Sequence, residues 1–234
     1  MAQKVRIGDT ILLGLTCLTM LASLYAIFIY APTEKTTGVV QKIFYFHLPL
    51  AFLSFFAFFL VFLASILYLY SQDVRWDIFA QSSAEIGVLF CSLVLITGAI
   101  WARPTWNVWW TWDPRLTTAL ILWFMYVAYL MLRKLLKPGV QTSNIASVFG
   151  IISFINVPIT FFAIRMWRTI HPVVIDQSGI HISAPMVITL LLSLAAFSFL
   201  FVVLLRIRVR VEKVLRAYEE LYFLLERNKK RLPS

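Results

Sequence analysis

Charge is scarce in this chain. Of its 234 residues only 14% are Asp, Glu, Lys or Arg, against about 25% in an ordinary soluble domain. Cysteine is scarcer: two residues, Cys17 and Cys91, with no CxxC and no CxxCH. That excludes a disulfide framework, a thiolate metal site and a covalently attached c-type haem. Both cysteines fall inside apolar runs and read as small apolar fillers. No low-complexity linker and no internal repeat is visible, so the duplicated halves of many secondary transporters are not in view.

What fills the space is apolar. Hydrophobic residues make up 61% of the chain, and its mean hydropathy is +0.83. Six stretches carry no Asp, Glu, Lys or Arg: 11–30, 43–70, 86–102, 116–132, 143–164 and 182–205. Crossing a bilayer takes roughly 17–25 apolar residues as a helix. Lipid offers no partner to an open sheet edge, so each run reads as a transmembrane helix. The first run is too long for a signal-peptide core and shows no small-residue cleavage site, so it is expected to be retained. The fold class is an all-α integral membrane protein with six spans in residues 1–205. A basic helix at 206–234 follows, with Val214, Tyr218, Leu221 and Leu225 at near-helical spacing, suited to a membrane surface or a partner.

The net charge of +10 would suggest nucleic acid in a soluble protein. Here its distribution fits the positive-inside rule better. With the N-terminus inside, fifteen of the 21 basic residues fall in the N-terminus, 71–81, 133–142 and the tail after Leu205. The outer side keeps Lys35, Lys42, Arg103, Arg115, Arg165 and Arg168. Both termini are therefore expected in the cytoplasm. The outer segments are 31–41, 101–115 and 165–181.

All three histidines lie in or beside that outer layer. His47, in "YFHLPLA", stands one to two turns into the second helix. An ionisable side chain in an apolar span usually faces the bundle or a cavity. It is either a ligand or a neutral ring bonded to a carbonyl freed by Pro49. His171, in "MWRTIHPVV", precedes Pro172, which favours an extended backbone there and an end to helix 5. The helix leading to it is long enough to lift His171 clear of lipid. His181 opens helix 6 and reads as an ordinary loop histidine. Asn156 and Pro158 are placed to break helix 5, and Glu85 reads as an interfacial carboxylate.

Five of the eight tryptophans fall in "WARPTWNVWWTWDPRL": Trp101, Trp106, Trp109, Trp110 and Trp112. An interfacial aromatic belt is spread over helix ends, whereas these rings crowd one segment, read here as a loop. Asp113 before Pro114 is a helix start, the carboxylate capping free N–H groups and proline taking the first position. Arg103 and Arg115 bracket the segment, either snorkelling or binding an anion. Haem suits this combination. It is flat and apolar over its faces, carries two propionates on one edge, and takes histidine axially. Copper or zinc would accept histidine but gives no reason for tryptophan.

On these residues the sequence resembles the haem exporter protein C family, CcmC, of cytochrome c maturation. The family's WWD segment is matched at 101–117 by Trp101, Pro104, Trp106, Trp109, Trp110, Trp112, Asp113, Arg115, Leu116 and Thr117. "YFHLPLA" resembles the family's first outer histidine motif and "MWRTIH" its second. Asn107 departs from the glycine common in the family, a change expected to bear on the loop backbone, and Pro172 directly after His171 is a second departure. The resemblance implies a non-enzymatic protein that holds haem b non-covalently on the outer face of a prokaryotic cytoplasmic membrane. His47 and His171 would be the axial ligands. The implied partners are the haem chaperone CcmE, the transporter subunits CcmA and CcmB, and CcmD, with no nucleic acid. Two other classes compete. An electron-transferring cytochrome b would bury paired haems within the bilayer, and a small-molecule transporter would use midplane charges.

Overall fold

The structure, a computed structural model, describes residues 7–34, 37–166, 175–176, 179–180 and 182–229. Seven α-helices carry it: α1 (Ile7–Tyr25), α2 (Phe44–Ser71), α3 (Val74–Trp106), α4 (Pro114–Leu135), α5 (Val140–Phe154), α6 (Asn156–Met166) and α7 (Ala184–Lys229). A π-helical turn, Ala26–Tyr30, ends α1, and a 3-10 turn, Val39–Ile43, leads into α2. Ile175–Asp176 and Gly179–Ile180 form a two-residue antiparallel ladder before α7. Six helical stretches are long and apolar enough to cross a membrane, α5 and α6 forming one of them. Large apolar side chains such as Leu18, Phe56 and Leu191 point outward, the arrangement expected where lipid rather than water surrounds the bundle.

Span three is longer than its uncharged window at 86–102 suggested. It begins at Val74, where Asp73 caps it by accepting the Arg75 N–H at 2.9 Å. The expected 71–81 loop is therefore a two-residue link, Gln72–Asp73. Span five is broken as Asn156 and Pro158 predict, α5 stopping at Phe154 and α6 starting at Asn156. The Asn156 amide donates to the Thr118 carbonyl of α4 at 2.9 Å, so the break is sealed against a neighbour. The helical tail is present and continuous with the sixth span. No Gly or Pro falls between Pro185 and the end of α7 at Lys229, and residues 206–229 run on for about 36 Å at 1.5 Å per residue.

α2 and α3 form the centre of the bundle, and Gly87 lets them approach. A Cβ there would meet the Phe58 ring at 2.6 Å and the Ala57 Cβ at 3.0 Å. Such small-residue contacts are how helices pack where lipid removes the hydrophobic drive. Phe58 in turn stacks on Tyr126 of α4, rings 3.7 Å apart and 11° from parallel. At the end where α3 starts, the fully buried Asp77 accepts from Arg133 of α4 at 2.5 Å, Ser143 of α5 at 2.9 Å and Arg216 of α7 at 2.8 Å. About two turns along, Glu85 pairs with Arg208 of α7, so this carboxylate is ion-paired rather than simply interfacial. The tryptophan-bearing end of α3 and the first turns of α2 lie at the opposite end.

Candidate functional site

His47 sits about one turn into α2, on the side facing α3. One partner there is a side chain of α3. Nδ1 lies 2.9 Å from the Thr97 hydroxyl. That hydroxyl also lies 2.7 Å from the Leu93 carbonyl, to which it donates, with the Val94 carbonyl at 3.3 Å. A hydroxyl has one hydrogen. With it directed into the helix, Thr97 accepts, and Nδ1 of His47 is the donor. The lone pair of the neutral ring is then on Nε2, the nitrogen that a metal would meet.

The rest of α3's face completes a seat for the ring. Residues 97, 98 and 101 share one side of the helix. At Gly98 a Cβ would come within 3.3 Å of His47 Cε1, so only a bare backbone leaves the imidazole where it is. Trp101 meets His47 edge to face, centroids 6.0 Å apart, and meets Phe44 at 6.2 Å. Trp101 is 9% exposed and belongs to a core cluster with Ile27, Phe44, Tyr45 and Met186.

The tryptophan segment is not one loop. α3 continues through Pro104 to Trp106, placing Trp101, Arg103 and Trp106 on its last turns. The bias of a pre-proline residue against helix is overridden by the cap that follows. Asn107 adopts the left-handed conformation, φ 59°, and Arg103 Nη1 donates to its carbonyl at 2.7 Å and to its Oδ1 at 2.9 Å. Asparagine tolerates this conformation nearly alone beside glycine, so the departure at Asn107 does not force a new backbone path. Arg103 is thereby spent at least partly on the helix end.

Residues 107–113 form the actual link. Trp109 and Trp112 project from it, 59% and 76% exposed, while Trp110 is half-buried and meets Trp112 edge-on at 5.9 Å. Asp113 caps α4 as expected, Oδ1 accepting the Leu116 N–H at 2.9 Å and Oδ2 the Thr111 hydroxyl at 3.3 Å, with Pro114 next. Arg115 is half-buried beside Asp113. The indole Nε1 of Trp101 and of Trp110 are buried without an acceptor among the described residues. An enclosed N–H without a partner is costly, and a carboxylate is the acceptor an anionic, flat ligand would bring. The donors, the half-buried Arg115 and the aromatic faces thus fit haem.

His171 and His181 lie outside the described residues, as do Trp167 and Arg168. The structure therefore brings His47 to Trp101, and the expected pairing with His171 falls outside the described residues. No group of three or more His, Cys, Asp or Glu able to hold a metal ion occurs among the described residues. Two features went unread in the sequence. Thr97 and Gly98 gave no signal, being common residues in an apolar run. Asp77 and Arg133 did give one: a carboxylate and a guanidinium, each at the border of an apolar span, are natural partners.

The family model for Heme exporter protein C, CcmC, matches residues 3–223. A putative cytochrome c biosynthesis ccmC-like mitochondrial protein of Marchantia polymorpha is 33% identical over 188 residues, 80% of each chain. The Heme exporter protein C of Bradyrhizobium diazoefficiens is 34% identical over 169 residues, 71% of this chain and 64% of the relative. That of Escherichia coli K12 is 30% identical over 142 residues, 61% and 58% of the two chains.

Proposed function

The chain belongs to the haem exporter protein C family, a multi-pass membrane group that handles haem in cytochrome c biogenesis, and on that footing we propose that it holds haem at the outer face of the membrane for onward delivery. His47 and His171 are the axial ligands, and Trp109, Trp110 and Trp112, with Trp101 and Trp106 behind them, cover the macrocycle. Arg115, and Arg103 where its cap allows, meet the propionates. The recipient is the haem chaperone CcmE, and CcmA, CcmB and CcmD are the companions. The cargo is non-covalent haem b, since no CxxCH is present.

One observation carries this reading. The single described histidine is bonded to Thr97 through Nδ1, which leaves the lone pair on Nε2, within an edge contact of the first tryptophan of the segment. Absorption spectra of the purified protein test it. His47→Ala and His171→Ala should each change the Soret and visible bands, and the double variant should lose most haem. His181→Ala should do little. An unchanged spectrum in the double variant defeats the axial assignment.

A further inference from the structure

We propose that Thr97 is a positioning residue for haem, acting through His47. The inference rests on His47 being an iron ligand and adds what sets that ligand's state. An imidazole has two neutral tautomers, and only one leaves Nε2 with its lone pair. The choice is made by what Nδ1 meets. Here it meets an oxygen that has no hydrogen left to give, because the Thr97 hydroxyl lies 2.7 Å from the Leu93 carbonyl one turn back on α3. The helix carbonyl therefore dictates the hydroxyl, and the hydroxyl at 2.9 Å dictates the ring.

Rotation is fixed by the same helix. Gly98 leaves the space in which Cε1 rests, 3.3 Å from where a Cβ would stand, and Trp101 meets the ring's edge from the next turn. Three consecutive constraints on one face of α3 thus define tautomer, tilt and depth of a side chain carried by α2. A hydroxyl is a weaker acceptor than the carboxylates that often back metal-bound histidines. The imidazole is oriented without being made strongly basic, which suits a site that must give its haem up.

The test uses the full chain in detergent. In haem-free protein labelled with 15N-histidine, the parent and Thr97→Ser should show His47 as the Nδ1–H tautomer. Thr97→Val keeps the shape and removes the acceptor, and should show a mixture or the Nε2–H form. After loading with haemin, Thr97→Val should shift the absorption bands and release haem about tenfold faster, in the range typical of lost outer-shell partners, with Thr97→Ser close to the parent. Gly98→Ala crowds Cε1, the ring atom beside Nδ1, and leaves the Thr97 hydroxyl in place, so it should shift the bands without changing the tautomer. An unaltered tautomer and release rate in Thr97→Val overturn the proposal, as does an unshifted Gly98→Ala for the part played by the seat. His47→Ala separates the two levels. Should it leave the spectrum untouched, the ligand assignment is wrong. Should it change the spectrum while Thr97→Val does not, the ligand stands and the positioning role falls.

Discussion

Asn107 receives the Arg103 guanidinium on two oxygens, 2.7 Å from its carbonyl and 2.9 Å from Oδ1, while its own backbone stands at φ 59°. A β-branched residue pays about 1–2 kcal/mol to adopt that conformation. Asn107→Gly should therefore keep the thermal midpoint and the haem content close to the parent, losing one of two acceptors. Asn107→Val should lower both, because the link carrying Trp109, Trp110 and Trp112 leaves α3 from this residue. Equal haem content in the two variants would show that the link's path does not depend on the left-handed turn.

Asp77 is fully buried and serves two guanidiniums, one 6% and one 26% exposed. Breaking a buried pair from one side costs about 3–5 kcal/mol, because the remaining charge stays enclosed. Asp77→Asn leaves the enclosed Arg133 without a carboxylate, while Arg216 keeps Glu212 at 3.0 Å, and it should destabilise most. Arg133→Ala leaves Asp77 with Arg216 and Ser143 and should cost less. Arg216→Ala removes the more solvated cation and should cost least. Thermal unfolding in one detergent ranks the three, and any other order means the network is not centred on Asp77.

Much of this was legible in the residues. Six uncharged runs gave six spans because lipid leaves the backbone only the helix, and Asp113–Pro114 and Asn156–Pro158 marked a start and a break that the structure keeps. The reading stopped short at the two ends of α3. Charge at Asp77 and Arg75, and proline at 104, look like helix limits when each is taken alone. Their partners, Arg133 and Arg216 at one end and the Arg103–Asn107 cap at the other, come from elsewhere in space or from one turn on. The seat of His47 was hidden for a related reason. Thr97 and Gly98 acquire meaning only through the register of α3 against α2, which the close approach at Gly87 sets and no local pattern encodes.

The orientation proposed from the charge distribution can be measured directly. Reporters active on only one side of the membrane, fused to chains ending at Asp73 and at Val108, should give opposite answers. A fusion at the C-terminus should agree with the one at Asp73. Agreement between the Asp73 and Val108 fusions would remove the tryptophan segment from the outer face and the delivery proposal with it.

Exposure divides the tryptophans into those that hold the bundle and those available to a ligand. Trp101 is 9% exposed and packed among Phe44, Tyr45 and Met186, so Trp101→Ala should cost about 3–5 kcal/mol of stability as a core truncation. Trp109 and Trp112 are 59% and 76% exposed. Removing them empties no core, and the pair should leave the thermal midpoint nearly unchanged, within the about 0.5 kcal/mol usual for surface sites. Aromatic contacts are worth about 0.5–1.5 kcal/mol each beyond the area they cover, and loss of two faces should speed haem release about tenfold or more. The two measurements belong together. Haem release that accelerates with an unchanged midpoint assigns these rings to the ligand. An unchanged release rate with reduced protein in the membrane assigns them to the lipid interface, where exposed tryptophan serves as an anchor, and the macrocycle must then be covered by Trp106 and Trp110.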